Sequence, residues 1–441
     1  MPMPRILLIG LIAVLLAGPG SRPASAAGGY FAMGYGPIAR QMAGATTAVT
    51  GDAFAGASNP GKLAFAGNRL DMGVELFMPH RRVERTGSSN PAYDFHSTSR
   101  NSLFLIPEGA YSRQINDRLA WGLTVYGNGG LNTEYTDTTG VPGTNFNPAA
   151  CGTAPANFLL GCGKLGFDLT QLVAAPTVSW RINPRHSVGI SPLITAQRFK
   201  AYGLQAFAPL SEYPNRVTNR GYDLAFGMGL RVGWYAELTP WLSVGAAYAT
   251  RTYMQEFDKY KGLFAEGTFD VPENLNVGLA VRPAANWLLA LDVQRINFAS
   301  VNALGNGVLN TLTDPAGKPL GSDNGSGFNW RNATTYRAAV AYNWSPRLTL
   351  RAGFGYGKRP NDDDINSVSF NMLAPNQLRQ ASAGFTWQLS DRHELHGSVG
   401  HFFSEKNPYS GPSATAGLGI GGTEEIRPHV EMLMIAWSRR F

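Results

Sequence analysis

Four segments carry residue types that could do chemistry if their spacing suited it. His393-Glu394-Leu395-His396 offers two imidazoles and a carboxylate. A helical zinc protease places its histidines at i and i+4, on one helix face. Here they fall at i and i+3, in a segment that alternates like a strand. Asp362-Asp363-Asp364 could face calcium, but a dedicated calcium loop alternates its ligands, so three consecutive aspartates read as a solvated acidic loop. Gly353-Phe354-Gly355-Tyr356-Gly357-Lys358 has the glycines and lysine of a phosphate cradle, yet no helix follows it. Cys151 and Cys162 are the only cysteines and share one long loop. No G-x-S-x-G elbow is present. The chain therefore reads as a non-enzyme without cofactor or metal; a hydrolase assembling its triad from distant residues is the lesser alternative.

The elements that carry these residues alternate with a period of two. Between Asn68 and Pro79, Leu70, Met72, Val74, Leu76 and Met78 occupy one parity. Arg69, Asp71, Gly73, Glu75 and Phe77 occupy the other. Successive side chains of a strand point to opposite faces, so one face is wholly apolar and the other carries three charges. The expectation is that Asp71 and Glu75 point inward and the even residues meet lipid. The N-terminus has the pattern of a secretory leader: Arg5, an apolar run from Ile6 to Ala17, then Ala24-Ser25-Ala26. Removing residues 1–26 takes away Arg5 and Arg22 and no acid, so the formal charge of +7 becomes 7 − 2 = +5. At the other end Leu433, Ile435, Trp437 and the terminal Phe441 share one parity, like the assembly signal of bacterial outer-membrane barrels. After the leader no apolar run is long enough for a spanning helix. A secreted chain of alternating strands satisfies its backbone in lipid by closing into a barrel.

Composition agrees with this. The chain has 52 Gly, 17 Tyr and 9 Trp, 15% charged residues and a mean hydropathy of −0.14. Lipid-facing and lumen-facing residues average out along barrel strands, which hides the membrane character. No basic cluster with interleaved aromatics suggests nucleic acid. Residues 27–67 are rich in Gly and Ala, include a short helical signal at Pro37 to Met42, and end in the turn Ser58-Asn59-Pro60-Gly61. So short a segment builds no core of its own and is expected inside the barrel formed by residues 68–441. Strands are predicted near 69–79, 100–114, 118–135, 167–182, 186–202, 220–237, 241–260, 263–282, 285–300, 331–344, 347–359, 377–390, 393–406 and 427–441. That is about fourteen, an even number as bacterial barrels require. Tight turns alternate with long loops at 80–99, 136–166, 203–219, 301–330, 360–376 and 407–426. In an oxidising compartment Cys151 and Cys162 are expected to pair, two free thiols being the alternative. Between them Phe158-Leu159-Leu160 is either part of an external capture site or a loop packing cluster.

Taken together, Ile106-Pro107-Glu108, Gln114-Ile115-Asn116-Asp117, Trp121-Gly122 and Asn128-Gly129-Gly130-Leu131-Asn132-Thr133-Glu134-Tyr135 make the chain resemble the FadL/TodX family of outer-membrane transporters. The turn Asn59-Pro60 is a second hallmark, although Gly61 replaces the usual Ala. The resemblance implies a fourteen-stranded barrel whose N-terminal segment, 27–67, is a luminal hatch. It also implies a kink in the third strand that opens the wall laterally. Gly127-Asn128-Gly129-Gly130 could supply that bend, or be an ordinary Gly-rich strand end. By the family pattern Arg198 and Lys200 on the fifth strand would hold a carboxylate, joined by Arg331 near the tenth. Arg198 nevertheless shares the apolar parity of Val188, Ile190 and Ile194. Either Pro192 marks a bulge that flips the register, or the two bases lie above the bilayer and grip lipopolysaccharide. Tyr30, Phe31 and Met33 either line the pocket or anchor the hatch.

The implied function is passive uptake of long-chain fatty acids or hydrocarbons by a monomer in the bacterial outer membrane, with lateral release. The implied partners are a hydrophobic substrate, outer-membrane lipid with lipopolysaccharide, and the barrel assembly machinery, met through the C-terminal strand. A general diffusion porin for hydrophilic solutes is the main rival reading.

Overall fold

The structure, a computed structural model, describes residues 29–136, 148–361, 368–404 and 409–441. The expected leader and Asp362-Asp363-Asp364 lie outside the described residues. Fourteen long antiparallel strands form the wall. They are β1 Arg69–Thr86, β2 Phe104–Gln114, β3 Leu119–Asn132, β4 Gly166–Asn183, β5 His186–Tyr202, β6 Asp223–Thr239 and β7 Leu242–Ala249. The others are β8 Asn274–Ala284, β9 Trp287–Ile296, β10 Ala333–Ser345, β11 Leu348–Gly357, β12 Gln380–Gln388, β13 His393–Phe402 and β14 Thr423–Arg440. Each pairs with its neighbours in sequence. β1 closes the ring on β14 in unbroken register from Arg69 opposite Arg440 to Thr86 opposite Thr423. Short segments at Phe95–Thr98, Tyr253–Met254 and Tyr409–Pro412 add to the wall on the long-loop side. Apart from one interval between β2 and β3, closure pairs the strands around the whole ring, the condition for a β-structure to span a bilayer.

The parity read from the sequence is the parity of the wall. Asp71, Glu75 and Phe77 are buried inside, while Val74, Leu433 and Ile435 are exposed outside. Leu105, Val178, Ile190, Phe226, Leu291 and Val293 continue the outer apolar belt around the ring. Eight of the nine tryptophans, all but Trp330, lie near the tight-turn ends of their strands or in the turns themselves. An aromatic girdle of this kind marks a membrane interface.

One pair of strands departs from the sequence expectation. Alternation through 241–260 and 263–282 predicts two long strands, but β7 ends at Ala249 and β8 begins at Asn274. The intervening residues form a seventh long connection, which turns Phe257, Tyr260, Phe264 and Phe269 into the barrel mouth. Phe257, Tyr260, Phe264 and Phe269 are irregularly spaced, but with Leu263 and Val271 the segment is as rich in apolar residues as a strand, because loop side chains here fill a core.

Ile435 lies opposite Val74, midway along the apolar belt on the lipid face, so Ile435→Arg should destabilise the barrel by about 2–4 kcal/mol, the cost of a basic residue near the bilayer midplane. Denaturant-dependent folding into vesicles measures it.

Candidate functional site

Residues 30–66 lie within the barrel, and the inward face of the wall is built to hold them. The segment is mostly irregular, so its backbone N–H and C=O groups need partners away from water. Side chains of the strands supply these. Asp71 on β1 accepts a hydrogen bond from Ala53 N (2.6 Å) and is itself gripped by Arg69. Glu108 on β2 accepts from Gly36 N (2.9 Å), Asp292 on β9 from Thr47 N (2.8 Å), and Ser382 on β12 from Ala43 N (2.7 Å). Arg231 on β6 donates to Gly56 O (2.7 Å). Arg40 of the segment pairs with Glu75 of β1 at 3.0 Å, with both side chains buried.

Asn59 and Pro60 fix the segment to β5 and β6. Asn59 is fully buried; its Nδ2 donates to Thr47 O (3.0 Å) and Trp234 O (2.8 Å), while its Oδ1 accepts from Gly61 N (3.1 Å). The wall opposite is glycine for a steric reason: a Cβ at Gly233 would strike Asn59 and Pro60, and one at Gly189 would strike Pro60.

The third strand is interrupted where the glycines lie. Between Gly127 and Gly129 the β3–β4 register shifts, leaving Asn128 as the extra residue of a bulge. Gly129 has φ 156°, outside the range that side-chain-bearing residues favour. β2 and β3 pair from Gln114–Ala120 only as far as Gly109–Val125. Beyond that, β3 pairs with β4 alone on the wall side. Its free edge is taken by the N-terminal segment: Ala32 N donates to Asn128 O (3.1 Å), and Gly130 N to Tyr30 O (3.3 Å). Asn128 joins the two sides further, accepting from Tyr35 Oη (2.8 Å) and donating to Gln171 (3.0 Å). The two strand ends are rejoined further up, where Arg100 N donates to Glu134 O (2.8 Å), Glu134 N donates to Ser99 Oγ (3.0 Å) and the buried Arg81 donates to both Asn101 O and Asn132 O. The unpaired interval is flanked by exposed Leu103 and Leu105, and Pro107 stands in it, where a missing N–H is tolerated.

Above this level the lumen changes from polar to apolar. Tyr30 stands with its ring centroid 5.8 Å from Phe269, 6.0 Å from Phe298 and 6.2 Å from Trp330. These belong to one buried cluster with Phe31, Phe167, Phe199, Phe264 and Phe328. A groove opens from it between the long connections, lined by Phe167, Leu204, Phe207, Phe264, Leu312 and Phe328 among others. Asp270 borders the cluster and accepts from Met254 N (2.8 Å); burial raises its carboxyl above the usual carboxylate range.

Several expected site residues sit elsewhere. Arg198 and Lys200 face outward, because β5 stays in register with β6 from His186 to Phe199 and Pro192 causes no flip. Both cations lie over the Tyr222 ring, at 4.2 and 4.4 Å. The residue between them, Phe199, is the one that enters the cluster. Arg331 is exposed and lies outside the cluster and the groove. Met33 packs with Phe77, Phe104, Phe402 and Met432 rather than with Tyr30 and Phe31. Phe158, Leu159 and Leu160 do not form an exposed patch: they are buried, with Phe158 stacked on Phe95 at 4.3 Å, so of the two readings the geometry is that of packing. Cys151 and Cys162 form a disulfide beside them. His396 is buried between Thr386 (2.9 Å) and Ser438 (2.8 Å), and Glu394 is tied to Arg69 and Arg440, so that tetrad is part of the wall. Phe257, Phe264, Phe269, Phe298, Phe328 and Trp330 had no sequence signal beyond their type; inward parity alone would have singled out Phe199.

A closed fourteen-stranded barrel with an apolar outer belt and an occupied lumen defines the class of bacterial outer-membrane β-barrels. A model of the family described as outer membrane protein transport protein (OMPP1/FadL/TodX) matches residues 20–147 and 163–441. The chain belongs to that family. Solved structures share the fold at low identity. The toluene transporter TodX of Pseudomonas putida is 17% identical with a TM-score of 0.66, over 93% of this chain and 99% of that one. The toluene transporter TbuX of Ralstonia pickettii is 16% identical with a TM-score of 0.60, over 93% and 99%. A FadL homologue of Pseudomonas aeruginosa is 15% identical with a TM-score of 0.64, over 92% and 98%. A search of curated proteins finds no match.

Replacing Asn59 with Ala leaves Thr47 O and Trp234 O without their donor in a buried site. The expected loss is about 1–3 kcal/mol, read from equilibrium unfolding, with faster protease cleavage between residues 46 and 66.

Proposed function

We propose that the protein carries hydrophobic small molecules, hydrocarbons or fatty acids, from outside into the outer membrane and releases them sideways through the wall. The observation that carries this reading is the unpaired interval between β2 and β3, bounded by Gly109–Val125 and Arg100–Glu134. A solute leaving there enters lipid directly. It avoids the periplasm, where each exposed methylene would cost about 0.8 kcal/mol of transfer free energy. The external groove captures the substrate, and the Tyr30–Phe298–Trp330 cluster receives it. Residues 27–67 act as the hatch: with Tyr30 and Ala32 hydrogen-bonded to the β3 edge, movement of this segment and opening of the interval are one event. Diffusion supplies the drive.

Arg198 and Lys200 serve the surface rather than the substrate. On the outer wall at the long-loop end, beside Asp168 and Tyr222, they suit the phosphates of lipopolysaccharide. The outward apolar residues of β14 offer the segment by which assembly machinery would take up the chain, and the protein works as a monomer.

Uptake of toluene or oleate by cells tests the lateral route. Gly129→Val puts a branched side chain at φ 156°, and Gly127→Val brings a Cβ within 2.9 Å of Ile106. Uptake should fall in both variants at unchanged levels of folded barrel; uptake equal to wild type in both would remove the lateral route. Deleting residues 28–45 should raise single-channel ion conductance in planar bilayers. Equal conductance with and without them would contradict the hatch, and high conductance of the intact protein would favour a general porin.

A further inference from the structure

The outer wall carries a cluster that transport does not use. On β1, β13 and β14 the lipid-facing parity is apolar near the tight turns, from Leu70 to Met78 and through Leu433 to Trp437. It then changes abruptly to His80, Arg82 and Glu84 on β1, and to Glu431, His429 and Arg427 on β14. His80 lies directly opposite His429 across the closing seam of the barrel, and His401 on β13 lies opposite Glu431. Three of the chain's seven histidines therefore surround one carboxylate at the outer boundary of the apolar belt.

The distances suit a shared ion. His80 Nε2 is 3.1 Å from Glu431 Oε2, and His429 Nε2 is 3.6 Å from Glu431 Oε1. The ligand atoms of these three residues all lie within 4.8 Å of one another. His401 Nδ1 stands 3.9 Å from Glu431 Oε1. A tetrahedral zinc ion with bonds of about 2.0–2.1 Å holds its ligand atoms roughly 3.3 Å apart, so small rotations of exposed side chains bring the donors to coordinating positions. The strand backbones are fixed by ladder hydrogen bonds on both sides of the seam, so little chain entropy is lost on binding.

We propose that His80, His429 and Glu431, with His401 as the fourth donor, bind a divalent metal ion of the zinc, nickel or copper kind on the outer wall. Imidazole-rich donors select these ions over magnesium and calcium, which take oxygen. Because His80 is on the first wall strand and His429 on the last, the ion ties the ends of the barrel together.

The test is titration of the tag-free, detergent-solubilised full-length mature barrel with Zn2+, followed by calorimetry, and with Co2+, followed by its visible absorption. One ion per barrel is expected, a large excess of Mg2+ should leave it bound, and Zn2+ should raise the thermal midpoint. His80→Ala and His429→Ala should each weaken binding at least about 100-fold, more than loss of a supporting contact costs. His401→Ala should weaken it less, and His186→Ala and His393→Ala should change nothing. Heat-modifiable migration confirms that each variant is folded, and all the changed side chains lie on the exterior of the wall. Binding below one ion per barrel, displacement by Mg2+, or full affinity retained in either His80→Ala or His429→Ala would overturn the proposal.

Discussion

Everything in the lumen follows from one requirement: an irregular backbone placed inside a barrel must have its polar groups satisfied there. Residues 30–66 contain little regular structure and so cannot satisfy themselves. The wall answers with inward carboxylates, hydroxyls and guanidinium groups, each aimed at a particular N–H or C=O: Asp71 at Ala53, Asp292 at Thr47, Glu108 at Gly36, Arg231 at Gly56. Charges that would suggest an aqueous pore are thereby used up by the segment that fills it. Glycines at 189 and 233 complete the fit by removing side chains where Asn59 and Pro60 approach the wall.

The same requirement divides the barrel by height. Polar contacts hold the segment in the half nearer the tight turns, and aromatic side chains from the long connections fill the other half. The boundary is at Tyr30–Ala32, which join one zone to the other by lying along β3 beyond the bulge at Asn128. A strand edge left by one neighbour needs another partner. Here the N-terminal segment is that partner, so the gap in the wall and the position of the segment are coupled by backbone hydrogen bonds.

Period-two alternation made the wall legible: β1 and β14 could be oriented residue by residue, and the strand count followed from the turns. It failed between Ala249 and Asn274, where a loop rich in apolar residues imitates a strand. The interior cluster was hardly legible at all, because Phe269, Phe298 and Trp330 come from separate connections and meet only in space. Arg198 and Lys200 were legible only as two alternatives, the pocket from the family pattern and the outer wall from the parity visible on β5, and their side chains have the outer-wall orientation; Arg331 rested on the family pattern alone, with no parity to weigh against it. The glycines at 127–130 were readable as a break in pairing; that the chain's own N-terminus would occupy the freed edge was not.

The buried bonds between the first and last parts of the chain bear on how the molecule is made. Gln41 donates to Phe385 O across 344 residues, and Arg351 reaches back to Gln41 across 310. Residues 30–66, which precede the wall in the chain, therefore have no complete set of partners until β11 and β12 exist. Such long-range pairings are entropically expensive to form and slow to find. Until then Tyr30, Phe31, Met33, Ile38 and Phe54, all buried in the finished barrel, lack the neighbours that cover them, and the waiting segment has to be kept from aggregating.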